Sequence, residues 1–275
     1  MIARFRRRFP AEGRGAVFSG VMNEIVETAA LHLIKARRAA TPGPGLPESC
    51  LPMDMETAIG VQERITELLG ETVGGWKASV GGADRIVMGP IYTSAIFRTS
   101  PCPYAAPASV ARVEPEIALV LDRDLPPRAI PYNEAEVRHA VGEARLVLEL
   151  LATRYADPAN RSFSEMLADS LQNLGLFVGP AITGVALEDL PAGFPVTVEH
   201  AGDVLFARGG LHPDGHPLAP LYWLANFLAA RGRGLKAGEI VTTGSYAKVL
   251  EVPLGRPLRF VYGSLGRIEV SFARA

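Results

Sequence analysis

Cysteine is scarce: only Cys50 and Cys102 occur in 275 residues. So far apart, they form no metal-ligand or redox spacing and no disulfide framework, which points to a reducing cytoplasm. Charge of one sign is equally scarce. Against 28 Lys and Arg stand 29 Asp and Glu, a net charge of −1 that argues against a nucleic-acid partner. No apolar run approaches the roughly 20 residues that span a bilayer, so no membrane partner is expected. The chain has no internal repeat, P-loop or dinucleotide fingerprint. What it does have is 48% hydrophobic residues, enough for one sizeable core or a core with a small appendage.

The first twenty residues differ in kind, with Arg4, Arg6, Arg7, Arg8 and Arg14 against the single acid Glu12. They lack the apolar stretch of a secretory signal, and residues 1–21 are expected to be a disordered or over-long arm. A helical portion is expected over 22–75. Ile25, Ala29, Leu33 and Ala36 recur at three or four, and Met55 to Leu69 repeats the pattern with Ile59, Ile65 and Leu68 inward and Gln62 and Glu63 exposed. Thr41-Pro42-Gly43-Pro44-Gly45 separates the two helices. From residue 76 to 275 the pattern turns to short strands and glycine-rich turns, with a hairpin around His200-Ala201-Gly202-Asp203 and one late helix from Leu218 to Arg231. The fold class is therefore α+β. His212 and His216, four apart, would pair on a metal only in a helix, and Pro213 with Gly215 speaks against one.

Chemistry concentrates in Arg112-Val113-Glu114-Pro115-Glu116-Ile117-Ala118-Leu119. With a side-chain period of two, Glu114 and Glu116 share one face of a strand while Val113 and Ile117 take the other. Two adjacent carboxylates repel, and at the head of an apolar strand they call for a positive partner, for which a hard divalent cation is suited. A solvated acidic face on an edge strand explains the same pattern, and Pro115 favours an edge because it cannot donate to a ladder. A third acid, Glu149, stands alone in the aliphatic run Leu146 to Leu151. It reads either as a buried strand residue in need of a partner or as the wet side of a helix with Arg145 at i−4.

These segments carry a resemblance. Gly75-Trp76-Lys77, Gly89-Pro90-Ile91-Tyr92, Glu114-Pro115-Glu116-Ile117-Ala118, Glu149, Gly215-His216-Pro217 with Trp223-Leu224-Ala225-Asn226, Leu235-Lys236-Ala237-Gly238 and Thr243-Gly244-Ser245 follow in this order. Together they resemble the 2-keto-4-pentenoate hydratase group of the fumarylacetoacetate hydrolase superfamily, from about Met22 to Phe272. The resemblance implies a β-rich, mixed-sheet roll around Mg²⁺ or Mn²⁺ held by Glu114, Glu116 and Glu149. Three protein oxygens leave about three positions of an octahedron for water or for a 2-oxo or 2-enol acid. Chelation of such an acid polarises its C2 oxygen, so that a proton can move along the conjugated chain and water can add at the far end.

Lys77 is the leading candidate for proton transfer, with a pKa lowered beside the metal, and Asp84 the second. Thr243, Gly244 and Ser245 are expected to receive the substrate carboxylate, and Asp169 to lie near the substrate. The chain departs from the group where relatives usually read E-I-V-D-S-R: here Glu149-Leu150-Leu151-Ala152-Thr153-Arg154 lacks the aspartate. Bulky Leu171 and Leu174 likewise stand where relatives have small residues. Hydration of a 2-hydroxy-2,4-dienoate in aromatic meta-cleavage catabolism is the leading reading. Decarboxylation of a 2-oxo-3-enedioate or C–C hydrolysis is the alternative, and an inactive metal-binding partner of such an enzyme is the second. A homo-oligomer, with a decarboxylase as possible partner, is also implied.

Overall fold

The computed structural model describes residues 15–82, 85–106 and 109–275. Asp84 and residues 1–14 of the expected arm lie outside that set. In chain order the elements are α1 (Gly15–Ala39), α2 (Met55–Leu69), β1 (Val73–Ser79), β2 (Val87–Tyr92), β3 (Ile96–Phe97), β4 (Cys102–Tyr104), β5 (Val110–Leu121), α3 (Glu134–His139), β6 (Val141–Leu151) and α4 (Phe163–Ala168). They continue with β7 (Asn173–Ala181), β8 (Gly193–His200), β9 (Asp203–Leu211), α5 (Leu218–Ala229), β10 (Ile240–Thr242), β11 (Leu250–Pro253), β12 (Leu258–Tyr262), β13 (Arg267–Val270) and β14 (Phe272–Arg274).

α2 is bounded as its sequence dictates. Asp54 caps the start by accepting from Thr57 N at 2.7 Å, and Gly70 ends it in the left-handed region at φ 64°. Ala29 and Leu33 of α1 and Ile59 and Ile65 of α2 pack together with Leu167 and Ala168 of α4 and with Tyr155. The helical layer thus draws on residues far beyond 75, and β1 begins before that boundary. Gln62 is not exposed. It is buried, and its amide nitrogen donates to the carbonyls of Met88 (3.1 Å) and Leu167, tying α2 to β2 and α4. A helix wedged between two other elements has no fully wet side there, so the apolar period alone misplaces this residue.

The main sheet has eight strands in the order β2-β1-β10-β5-β6-β7-β3, with β11 also pairing β5. It is mixed: β1 runs parallel to β10 and β3 to β7, and the other pairs are antiparallel. Its outer face presents Trp76, Val113, Ile117, Leu146, Leu148 and Val241 to α5 and to a four-stranded antiparallel sheet, β13-β12-β8-β9. Its inner face carries a small apolar cluster of Ile91, Ala118, Val147, Leu176, Val178 and Ile240.

The sheet curls. β1 and β6 are three strands apart in the order, a separation of roughly 14 Å on a flat sheet, yet Lys77 on β1 meets Glu149 on β6 at 2.8 Å. β2 closes the roll against the turn at 170–172, where a Cβ on Gly89 would come within 3.0 Å of the Ser170 side chain. Glycine at 89 is what allows that approach.

Pro115 lies in a central strand, not at an edge. β10 pairs residues 118–120 of β5 and β11 pairs residues 110–113, so neither covers Pro115. The Pro115 carbonyl accepts from Tyr246 N at 3.1 Å in the β10–β11 connection. A strand residue points its nitrogen and its carbonyl to the same side, so the missing N–H falls in the gap between the two partner strands and costs no ladder bond.

Candidate metal and proton-transfer site

Glu114 and Glu149 are direct cross-strand partners of β5 and β6, and Glu116 is the next residue on the same face. All three carboxylates project into the roll, where one oxygen of each lies within 4.8 Å of the other two. Glu149 is therefore a strand residue, and the helical alternative does not hold. Nor does the solvated edge: Glu116 and Glu149 are 2% and 1% exposed, and only Glu114 is half-buried.

Each buried carboxylate is fixed by named donors. Glu116 Oε2 accepts from the Thr242 hydroxyl and from Gly244 N at 2.9 Å. Glu149 Oε1 accepts from Asn173 Nδ2 at 2.8 Å and is paired with Lys77 Nζ at the same distance. Lys77 Nζ also reaches the Leu171 carbonyl at 3.4 Å. Burial, then the charges of neighbouring glutamates, pushes Glu114 up to about 7 and Glu116 up to about 8. Burial pulls Lys77 down, but Glu149, Glu114 and Glu116 together outweigh it and leave its pKa raised. That reverses the lowering expected of Lys77, because three carboxylates surround one ammonium.

The donor set fits a hard divalent cation. Three carboxylates share the interior with a single ammonium, and their burial is unfavourable while they lack more positive charge. The ligand atoms are all oxygens, the half-buried Glu114 marks an open side, and the Thr242, Gly244 and Asn173 donors hold the carboxylates in place as outer partners of a metal site do.

Other expected site residues are placed differently. Thr243 points away from the glutamates: its hydroxyl donates to the Ile117 carbonyl at 2.8 Å and lies 3.4 Å from His212 Nε2. Thr242, one residue earlier and so on the opposite face, is the hydroxyl that looks into the roll. Ser245 spends its hydroxyl on the Lys248 carbonyl at 3.2 Å. Gly244, at φ 111°, contributes its N–H to Glu116, and a Cβ there would come within 2.7 Å of Pro213. Asp169 is buried against Arg154, which also donates to the carbonyls of Asp169 and Asn173, so its carboxylate is occupied in bracing the next turn.

In that turn Ser170, Leu171 and Gln172 are all left-handed, at φ 52°, 51° and 69°. Such a run of non-glycine residues is costly and persists where surrounding contacts enforce it. It aims the Leu171 carbonyl at Lys77 and leads into Asn173. His212 Nδ1 accepts from Asp214 N and His216 Nδ1 from Leu218 N, each at 3.1 Å, so the two rings serve separate backbone turns, and burial pushes His212 down to about 4. Sequence reasoning missed Asn173, Thr242 and Arg112. Only Arg112 carried a usable signal, since it lies two residues before Glu114 and shares its face.

Searches of known proteins bear on this geometry. Over 260 residues the chain is 27% identical to 2-keto-4-pentenoate hydratase of Paraburkholderia phymatum, covering 90% of this chain and 97% of that protein. Over 264 residues it is 28% identical to 2-keto-4-pentenoate hydratase 2 of Dechloromonas aromatica, covering 91% and 99%. The chain is a homologue of the 2-keto-4-pentenoate hydratases. This hydratase-like enzyme has the fold of the fumarylacetoacetate hydrolase superfamily. It superposes on 4-oxalocrotonate decarboxylase from Pseudomonas putida G7, a structure complexed with magnesium and adipate, with a TM-score of 0.74 at 21% identity over 91% of this chain and 98% of the other. No family model matches the chain. Among the described residues no helix is long and apolar enough to cross a membrane.

Proposed function

We propose that the protein is a divalent-metal-dependent hydro-lyase that adds water to a 2-hydroxy-2,4-dienoate. The observation that carries this reading is the cluster of Glu114, Glu116 and Glu149, the last two buried, with Lys77 Nζ 2.8 Å from Glu149, in a chain related to hydratases along nearly its whole length. Magnesium, the ion in the related decarboxylase structure, suits the all-oxygen donor set. Held by the three carboxylates, it would supply a Lewis acid for the carboxylate and C2 oxygen of the acid.

The chain's own residues do the rest. Thr242, Gly244 and Asn173 hold the carboxylates in the orientation that a ligand shell needs. Lys77 Nζ, anchored by Glu149 and the Leu171 carbonyl, is the group placed to carry a proton. In the net reaction the C2 hydroxyl gives up its proton as C5 gains one, and water then delivers hydroxide to C4 and a proton to C3. The apolar cluster of Ile91, Val147, Leu176 and Ile240 closes the floor against bulk water.

The test is a spectrophotometric assay of 2-hydroxy-2,4-dienoates with chelated and metal-restored protein. Loss of dienol absorbance with a 4-hydroxy-2-oxo acid as product, only in the restored sample, is the expected result. Release of CO₂ moves the chain to the decarboxylase reading. A lack of turnover by the metal-loaded protein moves it to the inactive partner.

A further inference from the structure

β1, the strand that carries Lys77, is held unevenly. β2 pairs with it from Val73 to Ser79, but β10 reaches only Gly75, Trp76 and Lys77. After Thr242 the chain leaves the sheet through Thr243, Gly244 and Ser245. Lys77 is thus the last residue of β1 with a strand partner on that side. Its partner there, Thr242, donates to Glu116, as does Gly244 just beyond. Pairing between the lysine's wall and the wall that holds Glu116 therefore stops at the level where their side chains must be placed.

The turn between β9 and α5 bridges the break. Asp214 Oδ2 accepts from the Ser79 hydroxyl at 2.8 Å and from Val80 N at 3.0 Å, directly after Lys77 in β1. On its other side the turn meets the β10–β11 connection. Pro213 lies against Gly244, and the His212 ring stands edge-on to Tyr246 with centroids 5.1 Å apart. His212 Nδ1 accepts from Asp214 N, so the proton of the neutral ring is on Nε2. The Thr243 hydroxyl gives its hydrogen to the Ile117 carbonyl, so at 3.4 Å it can only accept from that Nε2–H. One tautomer satisfies both contacts, and a line of hydrogen bonds runs from β1 through Asp214 and His212 to Thr243.

An aspartate in a turn ordinarily accepts from its own backbone two residues on. Asp214 instead gives one oxygen to two donors of a strand 134 residues earlier. We propose that Asp214 is a positioning residue for proton transfer: by tying the end of β1 to the segment that holds Glu116, it fixes where the Lys77 ammonium stands relative to the carboxylates. A displacement of about 1 Å in such a group can cost on the order of 10²-fold in rate. This rests on the reading of Lys77 as the proton carrier given above and adds the group that places it.

The test joins a kinetic double-mutant cycle on magnesium-loaded protein, with a 2-hydroxy-2,4-dienoate as substrate, to ¹⁵N spectra of the lysine ammonium groups in metal-free protein. Asp214→Ala should lower kcat by about 10- to 100-fold while KM and magnesium affinity stay within about twofold. Asp214→Asn should keep kcat within about threefold of the wild type, because one amide oxygen can accept both bonds. In a Lys77→Met background Asp214→Ala should change kcat by less than about twofold, since the group it positions is gone. Ser79→Ala removes one donor from an intact turn and should show the same pattern at about 3- to 10-fold, which keeps the test open if Asp214→Ala folds poorly. Lys77 is one of four lysines, and the others, Lys35, Lys236 and Lys248, are exposed. Its signal is the one missing from Lys77→Met, and in Asp214→Ala it should move toward the other three. An unchanged kcat in Asp214→Ala overturns the proposal, and so does an equal loss in both backgrounds, which would make Asp214 a general brace of the fold. If Lys77→Met keeps full activity, the proton-carrier reading falls by itself. The placement of the ammonium by Asp214 then stands if its signal moves in Asp214→Ala and is overturned if it does not.

Discussion

Asn173 donates its side-chain amide to Glu149 Oε1, the same oxygen that pairs with Lys77. The amide holds the carboxylate from the β7 side while the ammonium holds it from β1, so the ligand is oriented from both walls of the roll. Removing the neutral partner keeps the charge balance and tests orientation alone. Asn173→Ala should weaken magnesium binding by about 10- to 100-fold, as loss of an outer partner does in other metal sites. Isothermal titration of chelator-treated protein checks this, and an unchanged constant would show that Glu149 needs no orienting donor.

Lys77 is the one ammonium among three carboxylates, so its removal has two separable effects. Lys77→Met should lower kcat by roughly 10²-fold or more. It should also destabilise the metal-free protein by about 3 kcal/mol, because a buried pair loses its cation. Magnesium should restore most of that stability and none of the rate. Denaturant titrations with and without magnesium, alongside kcat, separate the two effects. A variant equally destabilised in both conditions would mean that the cation does not share the lysine's carboxylates.

The pH dependence has a definite sign. Glu114 and Glu116 have folded pKa values raised to about 7 and about 8 from an ordinary value of 4.5. A carboxyl that binds its proton more tightly when folded contributes stability that is complete below the unfolded pKa and is lost as pH rises through the folded one. The metal-free protein should thus melt at a lower temperature as pH rises from about 5 to about 8. Magnesium affinity should increase over the same interval, because the cation needs the ionised carboxylates. Thermal melts across that range, with and without magnesium, are the measurement, and a metal-free Tm that climbs with pH would contradict the assignment.

Adjacent threonines should behave differently. Thr242→Val removes the hydroxyl on Glu116 and should weaken magnesium binding by about 10-fold. Thr243→Val breaks only the bond to the Ile117 carbonyl, and should cost about 1 kcal/mol of stability while leaving metal and oxalate binding unchanged. If the second variant loses oxalate affinity instead, the strand alternation at β10 is not what decides which hydroxyl serves the site.

A strand's period of two put Glu114 and Glu116 on one face, but a wet edge explained them as well and a helix explained Glu149, so only the resemblance joined the three as one set. Lys77 and Glu149 could be named separately, yet their contact depends on the curl of the sheet, a property of all its strands and of no single segment. Thr243 was named and Thr242 passed unnoticed for a related reason: in a three-residue strand a shift of one reverses the face, and only pairing of Thr242 with Ala118 fixes the register. Asp169 was read as a polar group near substrate because Arg154, fifteen residues earlier, carries no local sign that it will fold back onto it. Left-handed backbone at Ser170, Leu171 and Gln172 had no signal at all, since none of the three is glycine or asparagine.

That turn has an evolutionary consequence. The atom it offers to Lys77 is a main-chain oxygen, which every amino acid possesses, so the contact survives any exchange of the Leu171 side chain that leaves the backbone path intact. Glycine at 171 would even relieve the conformational cost. The neighbourhood of the lysine can therefore drift in sequence, changing bulk and polarity for a new substrate, without loss of the carbonyl that steadies the ammonium.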